Sequence, residues 1–390
     1  MEVLRNQGEK GAWPALLALS LAGCLLFSLV SITLMESFLA LAFVFWLVAL
    51  FRRETRLSVP RFFWPLLIYA ALSIIVCFFS VNPAVSFKDA RELLLYLVVP
   101  VAMSAAASRR GRSWTTAALL TSGLVSSLYS IGYFVIKSRP GERVQGFMGH
   151  YMTQAGLLLL FACAALSFLL FLKDRTRWLW GIAFILAAAS LSLTLTRSAW
   201  VGLVVAAGFI LVLYKPKALL LVPVVVALFF LVGPQPMKRR ALSIFNLHDY
   251  GNTLRIEYLK AGWQIIREYP LHGTGPDTVD MVYQNPKYGL SEVSRQNVHL
   301  HNNIVQIAAE RGIPTLLAWV VFIVWAFASL LRLIKNKGST VFPHAAAAAA
   351  ALLALVTAGL FEYNFADSEI TVLFLYLITS PFAFPKKGEQ

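Results

Sequence analysis

Charged side chains are scarce in this sequence. Only 14% of its 390 residues are Asp, Glu, Lys or Arg, against about 25% in a soluble chain. That scarcity excludes an ordinary water-soluble globule of this length. Cysteine is rarer still: Cys24, Cys77 and Cys163, each inside an apolar run. They cannot form a disulfide framework and suggest no metal cluster, so they read as small packing residues. No Walker loop, dinucleotide fingerprint, His-Glu-x-x-His or Gly-x-Ser-x-Gly is present. Nothing therefore points to ATP hydrolysis. No run alternates as a transmembrane barrel strand would, and there is no internal repeat or low-complexity linker.

Hydrophobic residues make up 58% of the chain. They fall in twelve runs, at 13–32, 33–51, 62–80, 91–108, 114–136, 151–172, 178–196, 199–214, 218–234, 313–334, 343–361 and 368–384. About 20 helical residues span a bilayer core of ~30 Å. Backbone amides in lipid must be satisfied within the segment, so the runs predict helices. The expected fold is all-α: a polytopic membrane protein of about twelve spans. The first run lacks a small-residue cleavage site and reads as a retained helix.

A net charge of +15 invites a nucleic-acid reading, but its distribution argues against one. With the N-terminus cytoplasmic and loops assigned alternately, the inner segments hold 19 of the 34 basic residues and 5 of the 19 acidic ones. Nearly all the excess positive charge thus lies inside, as the orientation rule for Lys and Arg in short loops requires. Both termini are then cytoplasmic.

The longest polar interruption lies outside, at roughly 235–312. This divides the chain into helices at 1–234, a loop domain at 235–312 and helices at 313–390. A loop of that length carries structure of its own. Asn252 or Thr253 can cap a helix that Pro270 stops. A second helix begins near His301 and runs to Glu310 or Arg311, with Gly312 and Pro314 marking the passage into the next span. Gly273-Thr274-Gly275-Pro276 reads as a turn.

Three of the six histidines (His272, His299, His301) sit in this interruption. His301 has three readings: part of a helix-capping polar cluster with Asn302 and Asn303, a general base for a hydroxyl near neutral pH, or a metal ligand with His299. A metal needs three or four ligands, and no spacing singles out further ones. Arg197, beside Trp200 at an outer turn, is either a snorkelling anchor at the interface or an anion ligand whose planar fork matches phosphate oxygens. Arg255 stands in the first turn of the expected helix, where a cation is unfavourable. It is either a surface residue paired with its neighbours or a second anion ligand. Arg143, in the outer loop 137–150, supplies another cation. Glu310 lies nine residues beyond His301, too far along a helix to touch it. Glu362-Tyr363-Asn364 and Asp367 form a polar knot at the outer end of the eleventh run.

Thr196-Arg197-Ser198-Ala199-Trp200, then Arg255-x-x-x-Leu259 with Trp263, then His301-Asn302 followed by Glu310-x-Gly312 together resemble the O-antigen ligase and polymerase superfamily of bacterial inner-membrane glycosyltransferases. Thr315 departs from a pattern that often has a second glycine there. The resemblance implies a donor glycan on undecaprenyl pyrophosphate, a lipid A–core acceptor, a periplasmic active site, and no metal or other cofactor. It implies catalytic roles for His301, Arg197 and Arg255. Arg143, Asn302, Trp200 and Glu310 are expected to bind substrate. An O-antigen polymerase or protein O-oligosaccharyltransferase would use the same donor with another acceptor. A transporter or flippase would place ionisable residues at mid-depth of its spans, where this sequence has almost none.

Overall fold

The structure is a computed structural model that describes residues 11–137 and 141–385. Among them there are helices and no strands. Helix α1 is Ala12–Phe27, α2 Ile32–Phe51, α3 Phe63–Cys77 and α4 Pro83–Asp89. A 3-10 segment, Ala90–Leu97, leads into α5 Val98–Ala105, followed by α6 Arg109–Lys137, α7 Tyr151–Phe171, α8 Arg177–Leu193 and α9 Arg197–Tyr214. Then come α10 Leu221–Val232, α11 Gln235–Leu242, α12 Tyr250–Glu268 and α13 Val279–Tyr283. The last three are α14 Asn303–Ile334, α15 Phe342–Ala358 and α16 Ser368–Thr379.

Among the described residues, five helices are long and apolar enough to cross a membrane: α2, α6, α7, α9 and α14. Shorter apolar helices lie among them, so this is an all-helical protein of membrane character. Helix α7 is the hub, with 83% of its apolar window buried inside the protein; the other four long helices bury 28–39% and turn the rest outward. The alanine run 345–351 of α15 is wholly buried. Small side chains let backbones approach, which drives association where lipid is as apolar as leucine. Gly202 of α9 shows how close: a β-carbon there would stand 2.9 Å from Ala354 O.

A second, smaller core gathers Tyr258, Ile265, Val279, Tyr283, Leu290, Leu300 and Ala309. Helix α12 starts at Tyr250, two residues before the expected cap. Asp249 takes the cap position without a side-chain cap bond, and the Asn252 amide instead donates back to Ser243 O and Asn246 O.

Helix α14 is interrupted at Gly312, where φ is 76° and ψ 168°. The preceding carbonyls lose their helical partners, and the turn after Pro270 supplies new ones. Thr274 N donates to Ala309 O at 2.9 Å, and Gly275 N to Glu310 O at 2.8 Å. Ile313 N donates to Pro270 O at 2.8 Å. The crossing is so tight that a β-carbon on Gly312 would run into Leu271 O, and one on Gly273 into Glu310. Gly312→Ala is expected to destabilise the protein by about 1–3 kcal/mol from backbone strain alone, more if the crossing opens. Thermal unfolding in detergent checks this, and an unchanged midpoint would refute it.

Candidate active site

The ends of several helices and the loops that join them bring the polar residues together. His301 has a left-handed backbone, φ 50°, and directly precedes the Asn302 cap of α14. Asn302 Oδ1 accepts from Val305 N at 3.0 Å, and its Nδ2 donates to Leu360 O at 2.8 Å. Asn303 is bound to Asn364 in both directions: its Nδ2 donates to Asn364 Oδ1 at 2.8 Å, and its Oδ1 accepts from Asn364 N at 3.1 Å. The segment 301–303 is thus stitched to the 359–364 loop, which sets Glu362 beside His301.

His301 Nδ1 lies 2.8 Å from Glu362 Oε1, and both side chains are largely buried. The imidazole also packs on the Tyr258 ring, with centroids 5.3 Å apart. Burial alone would raise the Glu362 carboxyl; the His301 ring and Arg255 outweigh it and hold Glu362 below its ordinary value. Glu362 is therefore a carboxylate at neutral pH, and it occupies one ring nitrogen of His301. Its other oxygen, Oε2, is buried without a hydrogen-bond partner.

Four arginines stand on one side of this pair. Arg197, at the start of α9 and 5% exposed, donates through Nη1 to Ser243 O at 2.9 Å and to Ser243 Oγ at 2.8 Å. The same nitrogen is 2.9 Å from Asp249 Oδ1, while Nη2 is buried without a partner. Arg255 does not pair with its helix neighbours. Its Nε donates to Phe361 O at 3.0 Å, next to Glu362, and Glu257 instead accepts from Ser291 and Ser294. Arg143 donates to Thr194 O at 3.0 Å and to Thr196 Oγ1 at 3.1 Å, and lies over the Tyr151 ring. Arg240 donates to Leu195 O at 3.3 Å. The carbonyls left open at the end of α8, where Leu195 turns to φ 52°, fasten two of the four.

These cations act on one another. Burial lowers the Arg143 guanidinium to about 10, with Arg240 and Arg255 adding to the shift and Tyr151 and Glu362 opposing it. Arg240 and Arg255 are also lowered, first by burial and then by the neighbouring arginines. Asp249 and Glu362 are among the carboxylates acting on the cluster. The arginines are thus gathered in a partly desolvated place.

The other expected residues stand apart. Trp200 donates to Leu191 O at 3.4 Å and packs against Phe229. Glu310, 2% exposed, accepts from Asp277 N at 3.1 Å and Gln306 Nε2 at 2.8 Å, and pairs with Arg311 at 2.6 Å. His299 faces Tyr363, and His272 lies against Phe79. Among the described residues, no group of three or more His, Cys, Asp or Glu is placed to hold a metal ion.

Sequence reading passed over Arg240 and gave Glu362 no partner. A signal for Arg240 existed: Lys238-Arg239-Arg240 is a basic triplet on the side the charge rule leaves poor in Lys and Arg. Glu362 had no such signal, because its partner is 61 residues away.

Asp367 closes the knot. Burial raises its carboxyl to about 7, Glu369 and Glu362 add to that, and a hydrogen bond from Thr153 Oγ1 (2.9 Å) opposes it. A carboxyl raised in the folded state contributes stability in acid, where it is protonated in both states. That contribution is lost between the ordinary value near 4 and about 7. Asp367→Asn is therefore expected to flatten this fall and to raise the melting temperature at pH 8 more than at pH 5. Equal shifts at the two pH values would refute the assignment.

Residues 182–320 match the family model described as O-antigen ligase. The match takes in Arg197, Trp200, Arg240, Arg255, His301, Asn302 and Glu310, and stops short of Glu362. No curated protein matches the chain. Through this 182–320 segment the chain is similar to the O-antigen ligase family.

Proposed function

We propose that the protein transfers a glycan from undecaprenyl pyrophosphate to a sugar hydroxyl of lipid A–core, at the periplasmic face of the bacterial inner membrane, in lipopolysaccharide biosynthesis. Twelve crossings with both termini cytoplasmic would put the arginines, His301 and the 235–312 loop on that face. The observation that carries the reading is the convergence of four arginines beside a His301–Glu362 pair. Gathered guanidinium groups suit the anionic oxygens of a pyrophosphate diester.

Arg143, Arg197, Arg240 and Arg255 would hold the pyrophosphate. Fixed donors stabilise charge that develops on a leaving group, and do so best where water is scarce. His301 Nδ1 faces Glu362, so Nε2 is the nitrogen left for the acceptor hydroxyl. The acceptor oxygen would attack the anomeric carbon while its proton passes to Nε2. The anomeric C–O bond breaks, and its electron pair leaves with undecaprenyl pyrophosphate. Glu362 would stabilise the imidazolium that forms. Asn302 and Asn303 act as positioning residues, since their side chains hold the 301–303 and 359–364 segments together. Trp200 packs at the outer start of α9, behind Arg197. No step needs a metal or nucleotide.

The test is reconstitution. Purified protein, a lipid-linked glycan and lipid A–core should yield glycosylated lipid without ATP. Product on a second lipid-linked glycan would instead indicate a polymerase, and product on a peptide an oligosaccharyltransferase. No product on any acceptor would refute the reading.

A further inference from the structure

Close to the His301–Glu362 pair, another group of side chains is acidic instead of basic. A cavity of about 280 Å³ is bounded by Asp89, Glu92, Asp277, Glu310, Asp367 and His299. It borders the site: Tyr363, in its wall, follows Glu362 in sequence. Asp367 accepts from Thr153, whose hydroxyl is 3.3 Å from the His150 ring. Arg311 answers part of the charge, 2.9 Å from Asp89 Oδ2 and 2.6 Å from Glu310 Oε2. It is 5% exposed and lines a small adjoining void with Asp89 and Glu92. Its Nε is buried there with no hydrogen-bond partner.

Asp89, Glu92 and Asp277 also bound a second, larger cavity of about 560 Å³, which opens between α2 and the 3-10 segment. One wall is a single face of α2. Glu36 stands at its outer end, Leu39 and Ala40 one turn deeper, and Phe43 a turn below that. The opposite wall is Leu94, Leu97 and Val101. Leu94 is 67% exposed, so the groove is open at its side. Lys88 and Arg91 sit at its polar end. Asp89, Glu92 and Asp277 line both cavities, the larger apolar at its flank and the smaller acidic beside His299.

We infer that the two cavities join as the acceptor's route and subsite: a lipid-anchored glycan enters between α2 and the 3-10 segment and presents a sugar lacking phosphate and carboxylate next to its reacting hydroxyl. The inference rests on the transferase reading above. An amphipathic groove fits a lipid whose apolar part stays in the flank while its sugar passes inward. Carboxyl groups hydrogen-bond sugar hydroxyls and suit a phosphate poorly, which leaves the anionic donor to the arginines. Carboxyl groups in the one place and guanidinium groups in the other thereby sort acceptor from donor.

The test uses the full protein in nanodiscs, with the lipid-linked donor and two acceptors: lipid A–core ending in a neutral hexose, and the same lipid with phosphate on that hexose. Wild type is expected to use the neutral acceptor at least tenfold faster. Ala40→Trp, which fills the groove at an exposed position, should raise the acceptor KM at least tenfold and leave the donor KM unchanged. Glu92→Gln with Asp277→Asn should bring the two acceptors' rates together. An Ala40→Trp variant with unchanged acceptor KM, or equal use of both acceptors by wild type, would overturn the inference alone. Wild type that transfers to neither acceptor would overturn the transferase reading and, with it, this inference.

Discussion

Replacing His301 by alanine is expected to lower transfer about 10²–10⁴-fold, the usual worth of a positioned general base. The protein should still fold and insert, because the stitching of this region runs through Asn302 and Asn303 and not through the imidazole. Glu362→Gln is the sharper variant. It keeps size and a hydrogen bond, but loses the charge that faces His301 Nδ1 at 2.8 Å. A neutral amide cannot stabilise an imidazolium as a carboxylate does. The expected result is a large fall in kcat with the donor KM little changed, since ground-state binding of the pyrophosphate is left to the arginines. Matched falls in donor affinity and kcat would argue for a merely structural role. Retained transfer by His301→Ala would remove the base.

The second large effect belongs to the arginines. Arg240→Ala should cost about 10²–10³ in kcat, the loss typical when one preorganised donor to developing charge is removed. Arg255→Ala should cost a similar amount. Arg240→Lys should recover only part, because an ammonium restores charge but not the planar fork that matches phosphate oxygens. Arg197→Ala is a less clean experiment: it leaves Asp249 without its 2.9 Å partner, and stranding a buried charge is itself destabilising. Transfer assays with lipid-linked donor across this series decide the matter. Wild-type rates for both Arg240→Ala and Arg255→Ala would eliminate the pyrophosphate-binding cluster.

Much of this site could be read from residues in order. His301 stood out because a polar island in an apolar chain is conspicuous, Arg255 because a cation is unfavourable in the first turn of a helix, and Arg197 because its planar fork matches phosphate oxygens. Local setting misled elsewhere. Arg255 looked able to pair along its own helix, yet its Nε donates to a carbonyl 106 residues away. Asn302 looked available to substrate, yet its side chain is occupied at both ends by backbone. Asn252 looked like a helix cap, but its amide satisfies carbonyls of the preceding turn. In each case a side chain had several possible partners, and packing chose among them.

What the sequence by itself determined is the helical, membrane-type architecture. It follows from short-range physics: backbone amides in lipid need partners within their own segment. Tertiary structure alone decided that Glu362 faces His301, that Arg143 and Arg240 join Arg197 and Arg255, and that carboxyl groups from four separate segments line one cavity. Such pairings form between helix ends distant in sequence. They depend on how α8, α9, α12, α14 and α15 pack, and no periodicity or motif within any one of these helices encodes that arrangement.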